Sequence, residues 1–102
     1  MSEEPNNEMT IRGEETGTGG RYVAEVAGHA AEMTYSRVNA ALIIIDHTDV
    51  PDALRGKGVG QALALHAVED ARKSGWKILP LCPFMRAQSL RHSDWGDVIQ
   101  QR

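Results

Sequence analysis

The sequence predicts an α+β fold: a mixed, mostly antiparallel sheet of about five strands, with the fourth and fifth parallel and splayed, and two main helices. Three observations lead there. Short segments of alternating apolar residues succeed one another through the first half, the pattern of an antiparallel meander. A long amphipathic helical stretch then lies between two apolar, strand-like segments, the order of a parallel crossover. Finally, Pro80 sits inside the last of those segments, where it donates no ladder hydrogen bond and so marks an edge or a parting of strands.

Residues 1–8 (MSEEPNNE) have no apolar side chain after the first methionine and are expected to be a flexible terminus, leaving residues 9–100 as a single domain. Residues 9–14 form the first strand, and residues 15–20 (ETGTGG) a turn rich in residues that tolerate positive φ. Over residues 21–27, Tyr22, Ala24 and Val26 share a face; over residues 29–36, Ala31, Met33 and Tyr35 do the same, and Gly28 between them predicts a hairpin. The segment 40–50 (AALIIIDHTDV) carries apolar residues on both faces, as in a central strand covered on both sides, and Pro51 stops it. Residues 58–74 are helical, with Leu63, Ala67 and Ala71 in line, Val59, Ala64 and Val68 beside them, and His66 among charged residues on the solvated side. Gly75 suits the end of that helix. Residues 77–81 (KILPL) form the fifth strand, Cys82-Pro83 opens a second helix running to His92, and residues 94–100 add a final turn or two.

The chain has 102 residues, 41% hydrophobic, 25% charged and 5% aromatic, with one cysteine. A chain of this size buries about 65% of its unfolded surface, enough for one core but not for a separate cofactor domain. The lone cysteine forms no internal disulfide and supplies no cysteine-pair zinc site. No apolar run reaches the length of a membrane span and the acidic beginning is unlike a signal peptide, so a cytoplasmic protein is expected. The net charge of −3 is unevenly distributed: residues 1–50 hold three basic and nine acidic side chains, residues 51–102 eight basic and five acidic. An acidic, aromatic-poor chain does not suit nucleic acid, but its basic half suits a small polyanion.

The segment 55–60 (RGKGVG) joins the central strand to the long helix. Its glycines let a ligand approach main-chain amides in front of a helix N-terminus, where an anion is favoured, and Arg55 and Lys57 add full charges; a pyrophosphate fits. The nucleoside-triphosphate loop is excluded, since Gly60 is followed by Gln61 and Ala62 rather than lysine and serine or threonine. A dinucleotide fingerprint is excluded because Leu63 stands where glycine or alanine is required.

The spacing Arg55, Gly58, Gly60, between a strand and an amphipathic helix that leads to a second strand, resembles the acyl-CoA loop of the GNAT superfamily of N-acetyltransferases. A closer resemblance is to its short single-domain branch, whose strand end "HT-V-P", loop "RG-G-G" and strand end "CPF" appear here as His47-Thr48 with Val50-Pro51, Arg55-Gly56 with Gly58 and Gly60, and Cys82-Pro83-Phe84. The similarity runs from about Tyr22 to Val98. It implies an acetyl-CoA-dependent transfer of acetyl to an amine. The pantetheine arm enters between strands 4 and 5 against Val50, and the pyrophosphate rests on Arg55, Gly56, Lys57, Gly58, Val59 and Gly60. A main-chain amide near Asp49 or Val50 is then the oxyanion donor. A CoA-binding module with little catalysis is the alternative, and a monomer or a homodimer fits either.

Cys82 reads either as a catalytic thiol at a helix N-terminus, accepting acetyl or protonating the leaving thiolate, or as a small buried residue closing a strand. His47 reads either as the base or, alternating with Ile43 and Ile45, as a hydrogen-bonded core histidine. His92 resembles an "RH" near the family's last helix, with the adenine, the 3′-phosphate or helix capping as its role. The chain departs from the family in having Gln88 where a thiolate-protonating tyrosine is common, and His92-Ser93-Asp94-Trp95 in place of "HPEY". It also has only a turn over residues 15–20 where larger members insert two helices that enclose the acceptor. The last departure implies an open acceptor side suited to an amine of a peptide or protein.

Overall fold

A computed structural model describes residues 9–100; the expected flexible terminus, residues 1–8, lies outside the described residues. Five strands form one sheet in sequential order: β1 (Thr10–Glu15), β2 (Gly19–Val26), β3 (His29–Asn39), β4 (Leu42–Asp49) and β5 (Lys77–Pro80). The first three pairings are antiparallel and β4 pairs with β5 in parallel. Helix α1 (Val59–Ser74) makes the crossover and α2 (Pro83–Arg91) follows β5. This is the expected GNAT-like α+β architecture.

One face of the sheet is the core. Tyr22, Ala24, Val26, Ala31, Met33, Tyr35, Ile43, Ile45 and Ile78 are buried there with Val59, Leu63, Ala64, Ala67, Val68 and Ala71 of α1 and Met85 of α2. The alanines on the buried stripe of α1 carry little side chain beyond the backbone, so the helix lies close on the strands. Full burial of each large aliphatic side chain contributes about 1.5–3 kcal/mol relative to exposure.

The opposite face is polar. Arg12 bonds Glu14 and Glu25, and Arg21 bonds Glu14 and Glu32, all at 2.8–3.0 Å. Val23, which pairs with Arg12 on one side and Glu32 on the other, is only 4% exposed among them. The sequence predicts a β4 covered on both sides; instead Leu42 and Ile44 on this face are half-buried. The strand also begins later than expected, because residues 40 and 41 make the β3–β4 turn, with Asn39 Oδ1 accepting the Ala41 N–H at 2.7 Å.

Local irregularities set which residues face which way. The β2–β3 hairpin turns on Ala27 (φ 52°) and Gly28 (φ 82°), a two-residue turn with both residues left-handed. In β4 the register passes from Tyr35↔Ile45 to Thr34↔His47, leaving Asp46 as an extra, bulged residue. The bulge reverses the alternation, so His47 is exposed on the polar face and the core-histidine alternative is corrected. The C-terminal segment forms a short 3₁₀ turn, Ser93–Trp95, and then runs beside β5, with Ile78 N–H donating to Val98 and Gln100 N–H to Ile78.

A polar cluster ties strands to helix. The Tyr22 hydroxyl donates to Asp70 of α1 at 2.7 Å, and the His66 ring packs edge-on against Tyr22 rather than standing free in solvent. Burial, with the Asp70 bond, pushes the Tyr22 phenol upward. The Tyr35 hydroxyl donates to Glu15 at 3.1 Å, and its phenol is pushed up to about 12, chiefly by burial. The Arg37 guanidinium bonds Glu15 while lying 4.2 Å over the Trp76 ring.

Arg37 holds the Glu15 carboxyl below its ordinary value of 4.5. A carboxyl lowered in the folded state contributes stability that is present above pH 4.5 and lost as pH falls through the folded value. Thermal unfolding across pH 3–7 is expected to show a falling midpoint in that acid window, and Glu15→Gln to flatten part of the fall; an unchanged slope would remove the pair from the account.

Candidate active site

The β4–β5 ladder ends at the Ile45–Pro80 pair, and the N–H groups of Leu81 and Cys82 both close on the Ile45 carbonyl at 3.0 Å. Beyond it no ladder bond joins the strands. Their diverging ends open a cleft of about 700 Å³, lined on the β4 side by Thr48, Asp49 and Val50 and on the α2 side by Phe84, Ala87, Gln88 and Arg91. The loop before α1 and that helix's first turn complete it with Arg55, Gly56, Gly58, Val59 and Gly60.

The loop is shaped by two glycines, Gly56 (φ 78°) and Gly58 (φ 76°), in a region that disfavours other residues. Gly58 caps α1 and offers no side chain to the helix, so the N–H groups of Gly58, Val59, Gly60 and Gln61 donate to nothing in the described protein. Such a row of free donors at the positive end of a helix favours an anion. Gly60 is small for a different reason: a Cβ there would fall 2.8 Å from the Phe84 ring, so α1 and α2 touch at this point. Lys57 and Arg91 form no ion pair among the described residues, whereas Arg55 bonds Asp52 at 3.2 Å.

The sequence-predicted residues divide. Val50, Arg55, Gly56, Gly58, Val59 and Gly60 all line the cleft, and Lys57 stands in the loop between them. Cys82 does not line it. It is 3% exposed, its Sγ accepts the Met85 N–H at 3.2 Å as the N-cap of α2, and Thr48 Oγ1 lies 3.3 Å from the sulfur. Thr48 lines the cleft where the thiol does not, and the Thr48–Cys82 contact bridges the two segments just past the last ladder pair. His47 opens on the other face of the sheet, beside Asp46, whose carboxylate accepts from the hydroxyls of Thr34 and Ser36. His92 stacks on Trp95 with ring centroids 4.1 Å apart.

Of the wall contributed by α2, sequence reasoning singled out Gln88 by resemblance and Phe84 as part of a motif, and missed Ala87, Arg91 and the stripe as a whole. Phe84, Ala87, Gln88 and Arg91 fall at i, i+3, i+4 and i+7, one stripe of a helix whose start Cys82-Pro83 announces. That spacing is the signal that would have found them. Among the described residues no group of histidine, cysteine and carboxylate side chains could hold a metal ion, and no helix is long and apolar enough to cross a membrane.

The family model for GCN5-related N-acetyl-transferases matches residues 21–98. A GCN5-like protein from Staphylococcus aureus, solved by NMR in solution, superposes with a TM-score of 0.66 at 31% sequence identity, over 95% of this chain and 91% of that one. No curated protein matches.

The capping geometry makes a prediction for the thiol. Cys82→Ala is expected to cost about 1–2 kcal/mol through loss of the cap and a small void, and Cys82→Ser, which keeps a capping acceptor, to cost less. Urea unfolding of the two variants checks this; equal losses would mean that the sulfur is not acting as a cap.

Proposed function

The chain belongs to the GCN5-related N-acetyltransferase family, and on that premise we propose that residues 9–100 are a single domain that transfers acetyl from acetyl-CoA to an amine. The observation that carries the reading is the row of free amides at residues 58–61 on one rim of the cleft where β4 and β5 part. The amides receive the pyrophosphate, with Arg55, Lys57 and Arg91 supplying charge around it. The freed edge of β4 through Val50 receives the pantetheine arm.

Acetyl-CoA supplies an activated thioester carbonyl. The protein's part is mainly electrostatic: a β4 amide near Asp49 or Val50 donates to the carbonyl oxygen as negative charge builds there. The ammonium first gives a proton to solvent, directly or through His47; the nitrogen then bonds the acyl carbon, the carbon–sulfur bond breaks, and CoA departs as a thiolate that is protonated from solvent as the nitrogen sheds its second proton. Cys82 supports this site through Thr48, whose position it helps to hold. The acceptor approaches from the polar face, where the β1–β2 connection is a short turn over residues 16–18 with no enclosing helix. An open approach beside the Asp46 and Asp49 carboxylates suits a positively charged amine of a peptide or protein. The free thiol suits a reducing cytoplasm.

A second reading, a CoA-binding module without turnover, is favoured by one observation, that neither Cys82 nor His47 lines the cleft, and it agrees with Gln88 standing where the resemblance places a common tyrosine.

Saturating acetyl-CoA is expected to raise the unfolding midpoint, by about 2.7 kcal/mol of stabilisation at a hundredfold excess over Kd; no shift would overturn both readings. Gly58→Val and Arg55→Ala are expected to weaken that binding while leaving the chain folded, as checked by calorimetry and circular dichroism. With radiolabelled acetyl-CoA, label is expected on protein or peptide amines. Binding without label on any acceptor would leave the module reading.

A further inference from the structure

We infer that Gln88 is a cofactor-positioning residue whose carboxamide hydrogen-bonds an amide of the pantetheine arm of acyl-CoA. The inference rests on the cofactor reading above and adds a residue to it on grounds of its own. Gln88 is 5% exposed, the one residue of polar or charged type described as buried, and its carboxamide makes no hydrogen bond to any described residue. A carboxamide with so little exposure and no protein partner is left to whatever occupies the space it faces. The side chain is not sealed away, however. It lines the cleft, and the indole nitrogen of Trp76 is the only fully enclosed polar side-chain atom described as lacking a partner. What little access Gln88 has therefore leads into the cleft.

The chemistry of the group limits what it meets there. A primary carboxamide is neutral, both donates and accepts, and neither gives nor takes a proton near neutral pH. Its paired donor and acceptor are both used only by another amide; a phosphate, which the loop amides, Lys57 and Arg91 already suit, would take the donor alone, and a thiolate awaiting protonation would gain no proton from it. Its place along α2 agrees. Gln88 lies six residues beyond Cys82, about 9 Å along the axis, between the Thr48–Cys82 floor and Arg91 towards the helix end. On this inference the amide-bearing arm would pass Gln88 on its way between phosphates held at the loop and a thioester directed towards Thr48. Phe84 and Ala87, the neighbours of Gln88 on the same wall, offer it no polar partner.

The test is Gln88→Leu, with Gln88→Met as a second variant of similar volume should the first fail to fold. In calorimetry the variant is expected to bind acetyl-CoA on the order of tenfold more weakly, equivalent to about 1.4 kcal/mol. Adenosine 3′,5′-bisphosphate, which lacks the arm, is expected to bind variant and wild type alike. The unliganded variant is expected to unfold at a higher temperature than wild type, since an unpartnered buried amide is gone; a merely structural glutamine would move the midpoint down. Unchanged acetyl-CoA affinity overturns the inference and leaves the cofactor reading standing, as does a loss shared equally by the bisphosphate. A lowered midpoint in both variants also overturns it. Failure of wild type to bind acetyl-CoA overturns the cofactor reading itself, and the inference with it.

Discussion

A proline has no N–H to give a neighbouring strand, and the parallel pairing of β4 with β5 ends at the Ile45–Pro80 pair. The next two amides of the chain both turn to the same Ile45 carbonyl, so the ladder closes on itself instead of continuing. The rest of the site depends on that ending. Because β5 leaves the sheet there, Cys82 can cap α2 with its sulfur, and α2 is aimed so that Phe84, Ala87, Gln88 and Arg91 face the free edge of β4. A continuous ladder would have filled this space with backbone and left no cleft.

The same economy is visible in how the sheet is covered. Both helices pack with the buried face, and the core is a single cluster. The other face is kept in water by arginine–glutamate bonds that run from β1 across β2 to β3. Exposed pairs of this kind each contribute little to stability. Their larger effect is to keep the middle of this three-strand surface polar around the sheltered Val23, with Val38 near the end of β3 as an exposed apolar side chain. A chain without helices over this face needs such a surface, and the surface leaves the approach to the cleft unobstructed.

Much of this is legible in the sequence because it is local. The alternation around Gly28, the buried stripe of α1, the glycine spacing of the loop and the Cys82-Pro83 start of α2 are all statements about neighbours in the chain, and each has its counterpart in the structure. What escapes the sequence is set by distant partners. His47 alternates with Ile43 and Ile45 on paper, but one extra residue, Asp46, held by Thr34 and Ser36 from the adjacent strand, sends it to the opposite face. Tyr22 and Asp70 are 48 residues apart in the chain, and nothing local to either announces their bond. Ala27 takes a left-handed conformation because the hairpin needs two such residues in succession, and only the second is a glycine. Cys82 reads on paper either as a reactive thiol or as a small buried residue closing a strand, and its depth and its contact with Thr48, 34 residues away, are set by the fold.

The cleft also shows why side-chain departures from the family pattern are compatible with its geometry. Its principal donors are main-chain amides, presented by the left-handed bends at Gly56 and Gly58 and by the start of α1. Such donors depend on backbone conformation and are indifferent to most substitutions elsewhere. A phenol on α2, where the family resemblance would place one, takes no part in presenting amides, so glutamine at that position leaves the row of free amides unaltered. The exchange has a physical consequence of its own. A tyrosine in that stripe would put an aromatic ring beside Phe84, with its hydroxyl reaching farther from the helix than a carboxamide can. Glutamine gives up that reach and that acid, and it brings a neutral group that both donates and accepts and has no partner within the protein. The residue that most weakens the case for a proton donor is therefore also the polar side chain of the α2 wall left to meet whatever occupies the cleft.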